Sequence, residues 1–282
     1  MFPYIGGKSH HAKWIVELFP DDFEIFVDVF GGAGWLTVKN TKAFGKQTVY
    51  NDLNPLLANV FECFRSPEQL ILEMNKIPSS NIDIYKAFQK ELFVDLNWDD
   101  ISMGDFILAT KYLYLQTQIF SGTPLSAKNV SYFTDLKSGG KYPSKYETLK
   151  RKLTNKKILT SLKSIYAVEN KDCVEVIKKY DAPGAFFYID PPYFKKEFYY
   201  TSDFSREKHA ELAALLSDIK GRFALSYYDF PELKMLYPPE KFRWHRRNVY
   251  KSSATRSGKD ADYKNISSAT EILIMNYTCG EV

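Results

Sequence analysis

Apolar residues in this chain fall into short β-branched and aromatic runs that alternate with stretches of helical period. The first run, EIFVDVF (Glu24 to Phe30), stops at Gly31-Gly32 and reads as a strand. A helix is predicted from Ala33 to about Phe44, with Gly45 suited to its C-terminal end. QTVYND reads as a second strand ending on Asp52, and Asn54 and Pro55 suit the N-cap and first turn of a helix over PLLANVFECFR. This strand, glycine turn, helix, strand alternation predicts an α/β fold with a parallel, doubly wound sheet. From about Arg65 to Ser161 the alternation is lost. GDFILATKYLYLQTQIF predicts a largely buried helix, the next stretch is rich in Gly, Ser, Lys and aromatics, and KYETLKRKLTNKK is strongly basic. The alternation resumes near Ser164: SIYAVEN, AFFYI and RFALSYYD read as strands, and DCVEVIKKY and SREKHAELAALLSDIK as helices, the latter with Ser205 as N-cap. FRWHRRNVY and EILIMNY read as a final antiparallel pair. The expected organisation is a catalytic domain formed by residues 1–64 and 162–282, with 65–161 as an inserted, mainly helical region.

Composition narrows this picture only slightly. A chain of 282 residues that is 45% hydrophobic can bury a sizeable core, and a net charge of +4 does not by itself establish a polyanionic partner. Cys63, Cys173 and Cys279 are far apart and odd in number, which argues against a disulfide scaffold or zinc site and fits a reducing cytoplasm. His10, His11, His209 and His245 lack metal-ligand spacing, so no metal is expected. The N-terminus does not read as a signal peptide, and no apolar run is long enough to span a membrane.

The candidate chemistry collects at predicted strand ends, where open α/β sheets bind ligands. The glycines of DVFGGAG allow a tight turn and a close backbone approach, which suits a nucleotide cofactor or a purely structural turn. Asp52 can accept ribose hydroxyls or cap the next helix. In Asp190-Pro191-Pro192-Tyr193 the carboxylate and the Pro191 carbonyl can accept two protons of an amino group. The prolines stiffen the corner, and Tyr193 offers a face for a planar ring.

Together these segments resemble the D12 class of DNA adenine-N6 methyltransferases in its α-type motif order. Tyr4, Gly7 and Lys8 fall in the stretch similar to its N-terminal motif. Asp28, Phe30, Gly32 and Gly34 match its cofactor loop, Asp52 and Leu53 its second cofactor motif, and Asp190 to Tyr193 its catalytic motif. The resemblance implies a Rossmann-like sheet with helices on both faces and S-adenosylmethionine as cofactor. It also implies a flipped adenine, with 65–161 as the DNA target-recognition region. It places Lys8 beside cofactor and target, and Asp172 and Cys173 at the cofactor's adenine. Val29 and Cys173 depart from the pattern, standing where proline and an aromatic are common.

Duplex DNA is the expected partner, and a cognate restriction endonuclease is left open. Lys128, Lys137, Lys141, Arg246, Arg247, Lys251 and Arg256 are the candidate DNA contacts, from basic clusters interleaved with aromatics. Base reading is expected in roughly residues 121–145, around a predicted tip at Ser138-Gly139-Gly140. The alternatives are an RNA adenine methyltransferase, a catalytically silent DNA-binding protein of the same fold, and, with less support, a cytosine-N4 methyltransferase or a nicotinamide oxidoreductase.

Overall fold

The computed structural model describes residues 1–4, 6–119, 125, 144–193, 204–250 and 268–278. After α1 (Ala12–Glu17) the chain runs through β1 (Ile25–Asp28), α2 (Trp35–Lys39), β2 (Gln47–Asn51) and α3 (Pro55–Phe64). Five helices follow: α4 (Pro67–Asn75), α5 (Ile82–Lys90), α6 (Phe106–Gln118), α7 (Lys145–Leu153) and α8 (Lys156–Lys163). The sheet then resumes with β3 (Ile165–Glu169), α9 (Cys173–Tyr180), β4 (Ala185–Ile189), α10 (Arg206–Ser217) and β5 (Arg222–Tyr228). A short α11 (Leu233–Leu236) leads to β6 (Arg243–Tyr250) and β7 (Ser268–Met275).

These strands form one seven-stranded sheet in the order β3-β2-β1-β4-β5-β7-β6. The first five are parallel; β7 pairs antiparallel with β5 and with β6. Strand residues alternate between two apolar layers. Val27, Phe187, Leu225 and Ile274 pack with α9 and α10, whereas Phe26, Phe186, Ala224 and Leu273 pack with α1 and α2. Burial on both faces explains why AFFYI is apolar throughout instead of alternating. A third cluster joins α3 and Tyr50 of β2 to Leu70, Leu92, Leu113 and Tyr146, so residues of α4 to α7 share a core with the sheet's β2 side.

Local chemistry sets the boundaries. Asn54, Asp172 and Ser205 each cap a following helix by accepting a backbone N–H, and Pro55 fills the first turn of α3. The single helix expected from Ala33 to Phe44 is instead two pieces. At Asn40 the backbone leaves helical geometry, and its side chain accepts the Lys42 N–H, starting a 3-10 turn at Thr41–Ala43. A side-chain amide that bonds locally competes with helix continuation. The basic run KYETLKRKLTNKK forms α7 and the start of α8, separated at Asn155, which caps α8. No helix among the described residues is long and apolar enough to cross a membrane.

Gly34 begins α2 at φ +63°, and a Cβ there would lie 2.2 Å from Phe61 Cζ. That ring is stacked on Tyr50 at 3.6 Å and 8°, which leaves it little room to move. Gly34→Ala is therefore expected to cost about 2–4 kcal/mol in urea unfolding, from left-handed backbone strain and overpacking together. An unchanged midpoint would mean that the turn is not held by this contact.

Candidate active site

Strand order reverses between β1, whose connections lead outward to β2 and β3, and β4, which leads the other way to β5. The crevice at such a reversal is where open α/β sheets take ligands. A cavity of about 460 Å³ opens there. Four of its lining residues are aspartates carried by four adjacent parallel strands: Asp28 ends β1, Asp52 follows β2, Asp172 lies beyond β3, and Asp190 follows β4.

The glycine turn is fastened by two of these acids. Asp52 accepts the Gly32 N–H at 2.8 Å and the Asn54 N–H at 2.9 Å, and the Tyr50 hydroxyl donates to the Gly32 carbonyl at 2.7 Å. Asp28 accepts the Thr37 hydroxyl at 2.6 Å and its N–H at 3.2 Å. Burial pushes the Asp28 carboxyl up to about 7 and the Asp52 carboxyl up to about 6, against the hydrogen bonds that favour their anions. Gly7 donates to the Tyr4 carbonyl at 3.2 Å, and Tyr4, Gly7, Phe30, Gly32 and Leu53 all line the cavity.

At the β4 end, Lys8 is 5% exposed. Its ammonium lies 3.0 Å from Asp190 Oδ1 and 3.1 Å from Oε1 of Glu271 on β7. Burial alone would lower its pKa; Asp190 and then Glu271 outweigh that and hold it well above the ordinary range. Burial, partly countered by Lys8 and reinforced by Glu271, pushes Asp190 up to about 6. The Tyr193 hydroxyl accepts from Lys8 and lies 3.0 Å from Asp190 Oδ1 and 3.1 Å from Glu271 Oε1. The Tyr193 ring, offered above as a stacking face, is 7% exposed, with its centroid 4.5 Å from that of Tyr228. Pro192 lines the cavity, and Pro191 is buried.

At the other end, Asp172 Oδ1 caps α9 and accepts from Lys208 of α10 at 2.8 Å. Burial pushes the adjoining Cys173 thiol up to about 12. Phe30 and Phe204 meet edge to face at 5.7 Å beside them. Arg246 and Arg247 are exposed on the edge strand β6, their guanidinium groups 4.8 Å from the Trp244 ring and 5.6 Å from the Trp14 ring. Lys128, Lys137, Lys141, Lys251 and Arg256, and the tip at 138–140, lie outside the described residues. Among the described residues no group of His, Cys, Asp and Glu is arranged to hold a metal.

Sequence reasoning missed Trp35, Trp98, Phe204 and Lys208 in the cavity wall, and it missed Glu271. Glu271 carried a signal. It stands two residues before Leu273 and four before Met275 on one strand, so an acid shares the inward face of two buried apolar residues. Trp98 carried none, because nothing in the pattern of its own segment tied it to the sheet.

The sheet order, the glycine turn after β1 and the acid-proline corner after β4 define a Rossmann-like methyltransferase fold. The chain belongs to the family of D12 class N6 adenine-specific DNA methyltransferases, whose model it matches over residues 4–252. It is also similar to the modification methylase StsI of Streptococcus sanguinis, at 25% identity over 203 residues. That match takes in 67% of this chain and 28% of the length of that relative.

The raised acids have a consequence for stability. An aspartate whose folded pKa lies above its unfolded 3.8 favours the folded state in its protonated form, so its contribution is lost as pH climbs through the folded value. Asp28→Asn removes that loss while keeping an acceptor for Thr37. Relative to this variant, the wild-type protein without ligand is expected to lose about 1–3 kcal/mol between pH 5 and 8 in denaturant titrations. Parallel stability curves would contradict the assignment.

Proposed function

We propose that this chain transfers a methyl group from S-adenosylmethionine to the N6 amino group of adenine in a specific duplex DNA sequence, with the base rotated out of the helix into the strand-end cavity. One observation carries the reading: a largely buried carboxylate, Asp190, still open to the cavity, stands at the strand-order reversal, steadied by Lys8, in a chain of an adenine-N6 family.

The lining chemistry fits the cofactor. Four aspartates surround the cavity, and two of its lysines, Lys8 and Lys208, are already paired with acids. With Lys171 the lining has three lysines against four aspartates, so it carries no excess of positive charge, which suits a ligand with a sulfonium and an ammonium better than the pyrophosphate of a nicotinamide dinucleotide. When bound, S-adenosylmethionine supplies an electrophilic methyl on sulfur. In this reading Asp52 accepts the ribose hydroxyls, and Asp172 accepts from the cofactor's adenine amino group beside Cys173, Phe30 and Phe204. Asp28 faces the cofactor's ammonium, in the wall that also includes Tyr4, Gly7 and Leu53.

Asp190 and the Pro191 carbonyl accept the two protons of the target amino group. Its lone pair is otherwise delocalised into the ring, and this grip turns it toward the donor; the gain is one of proximity and orientation. Both described hydrogen bonds to Asp190 fall on Oδ1, which leaves Oδ2 for the amino group. Tyr193 contributes through its hydroxyl, since stacking on the base would need the ring packed against Tyr228. Arg246 and Arg247 take phosphates along β6, and residues 65–161 read the target, with Lys128, Lys137 and Lys141 in that region. Lys251 and Arg256 extend the phosphate contacts beyond β6.

Labelled-methyl transfer to duplex DNA, single strands and ribosomal RNA tests the substrate, and mapping of methylated adenines gives the site. Transfer is expected to duplex DNA, and Asp190→Ala is expected to lower it by ~100-fold or more while the protein stays folded, because Glu271 still holds Lys8. A rate near wild type in that variant, or transfer to RNA alone, would overturn the reading.

A further inference from the structure

Lys8 has more acid around it than its charge requires. Asp190 alone would neutralise it, yet Glu271, 1% exposed, is placed against the same ammonium from β7. Taking a second carboxylate out of water is costly unless something uses it. Three groups meet at Glu271 Oε1: Lys8, the Tyr193 hydroxyl and the Ser226 hydroxyl of β5, which donates to it. Its other oxygen, Oε2, is buried with no hydrogen-bond partner among the described residues. Lys8 and Tyr193 are therefore each shared between Glu271 and Asp190, at nearly equal distances.

We propose that Glu271 is a positioning residue for Asp190: by taking half of Lys8 and Tyr193, it keeps the Asp190 carboxylate available to an amino group in the cavity. The inference rests on the reading that Asp190 grips the target base. One ammonium between two carboxylates leaves a formal charge of −1 at the β4 end, whereas Lys8 and Asp190 alone would be a closed neutral pair. An incoming amino group then meets an anion that is held in place but not spent. It also meets negative charge where methylation leaves the amino nitrogen positive until it sheds a proton.

The other groups around Glu271 do not supply this compensation. Arg247 of β6 and Tyr228 of β5 are its cross-strand neighbours in the sheet. Arg247 lies over Trp14, and Tyr228 packs on Tyr193. His11, at the start of α1, feels Glu271, but burial is the larger influence and holds its pKa down. Tyr188 of β4 is buried and hard to ionise, chiefly through burial. Lys8 is thus the cation in contact with Glu271 among the described residues.

Two readouts test this, one without cofactor or DNA. In the ligand-free protein, carbon-13 NMR of the Asp190 carboxyl follows its titration. Glu271→Gln removes a charge that raises Asp190 and returns Lys8 wholly to it, so the midpoint is expected to fall by roughly one pH unit. Single-turnover methyl transfer is expected to drop about tenfold or more, with cofactor and DNA dissociation constants within about threefold of wild type. Glu271→Asp keeps the charge but draws it back from Lys8 and Tyr193; the Asp190 midpoint should fall by less than in Glu271→Gln and transfer should still slow, and this variant serves if the glutamine variant does not fold. An unmoved midpoint in Glu271→Gln, or wild-type rates in Glu271→Asp, would overturn the proposal. A purely packing role would lower the melting temperature and move neither readout. Absence of adenine methylation by the wild type would instead remove the functional reading, while the ligand-free titration would still judge the coupling of Glu271 to Asp190.

Discussion

A single buried ammonium ties together parts of the chain that are far apart in sequence. Lys8 comes from the segment before α1, Asp190 from the end of β4 and Glu271 from β7, and all three meet within hydrogen-bonding reach. Without Lys8 two carboxylates would face each other out of water, and without them the ammonium would be stranded, a loss of about 3–5 kcal/mol when one partner of a buried pair is removed. This contact closes the sheet's reversal point from the N-terminal side. It also holds Asp190 and Tyr193 of the acid corner against β7.

The rest of the cavity repeats one physical theme. Parallel strands deliver their last residues to one edge of the sheet, and here four neighbouring strands deliver an aspartate. All four spend part of their hydrogen-bonding capacity on the protein itself, and two of them secure the turn. Asp52 and Asp28 hold the glycine turn and the start of α2, so the backbone a ligand would touch is rigid before anything binds. Preorganisation of that kind is bought with burial, which is why Asp28, Asp52 and Asp190 all titrate well above an ordinary aspartate.

Much of this was legible in the sequence because it is written in local patterns. The run AFFYI into Asp190, the Asn54-Pro55 helix start and the Ser205 cap are each decided by a few adjacent residues, and the strands and helices they imply are present. Asn40 misled the reading of α2, because a short-range side-chain bond outweighed a helical apolar pattern. What stayed hidden depends on long-range packing. Trp98 reaches the cavity wall from the stretch between α5 and α6, and Lys208 reaches Asp172 across 36 residues of chain. Tyr193 was read as an open face because proline rigidity says where a ring starts, and not that Tyr228 lies against it.

The most direct measurement of the account is a crystal structure with S-adenosylhomocysteine bound. The ligand's ribose is expected at Asp52, its adenine beside Asp172 and its sulfur toward Asp190, with Lys8 still between Asp190 and Glu271. A ligand bound away from the β1 and β4 strand ends, or an Asp190 carboxylate turned out of the cavity into solvent, would contradict it.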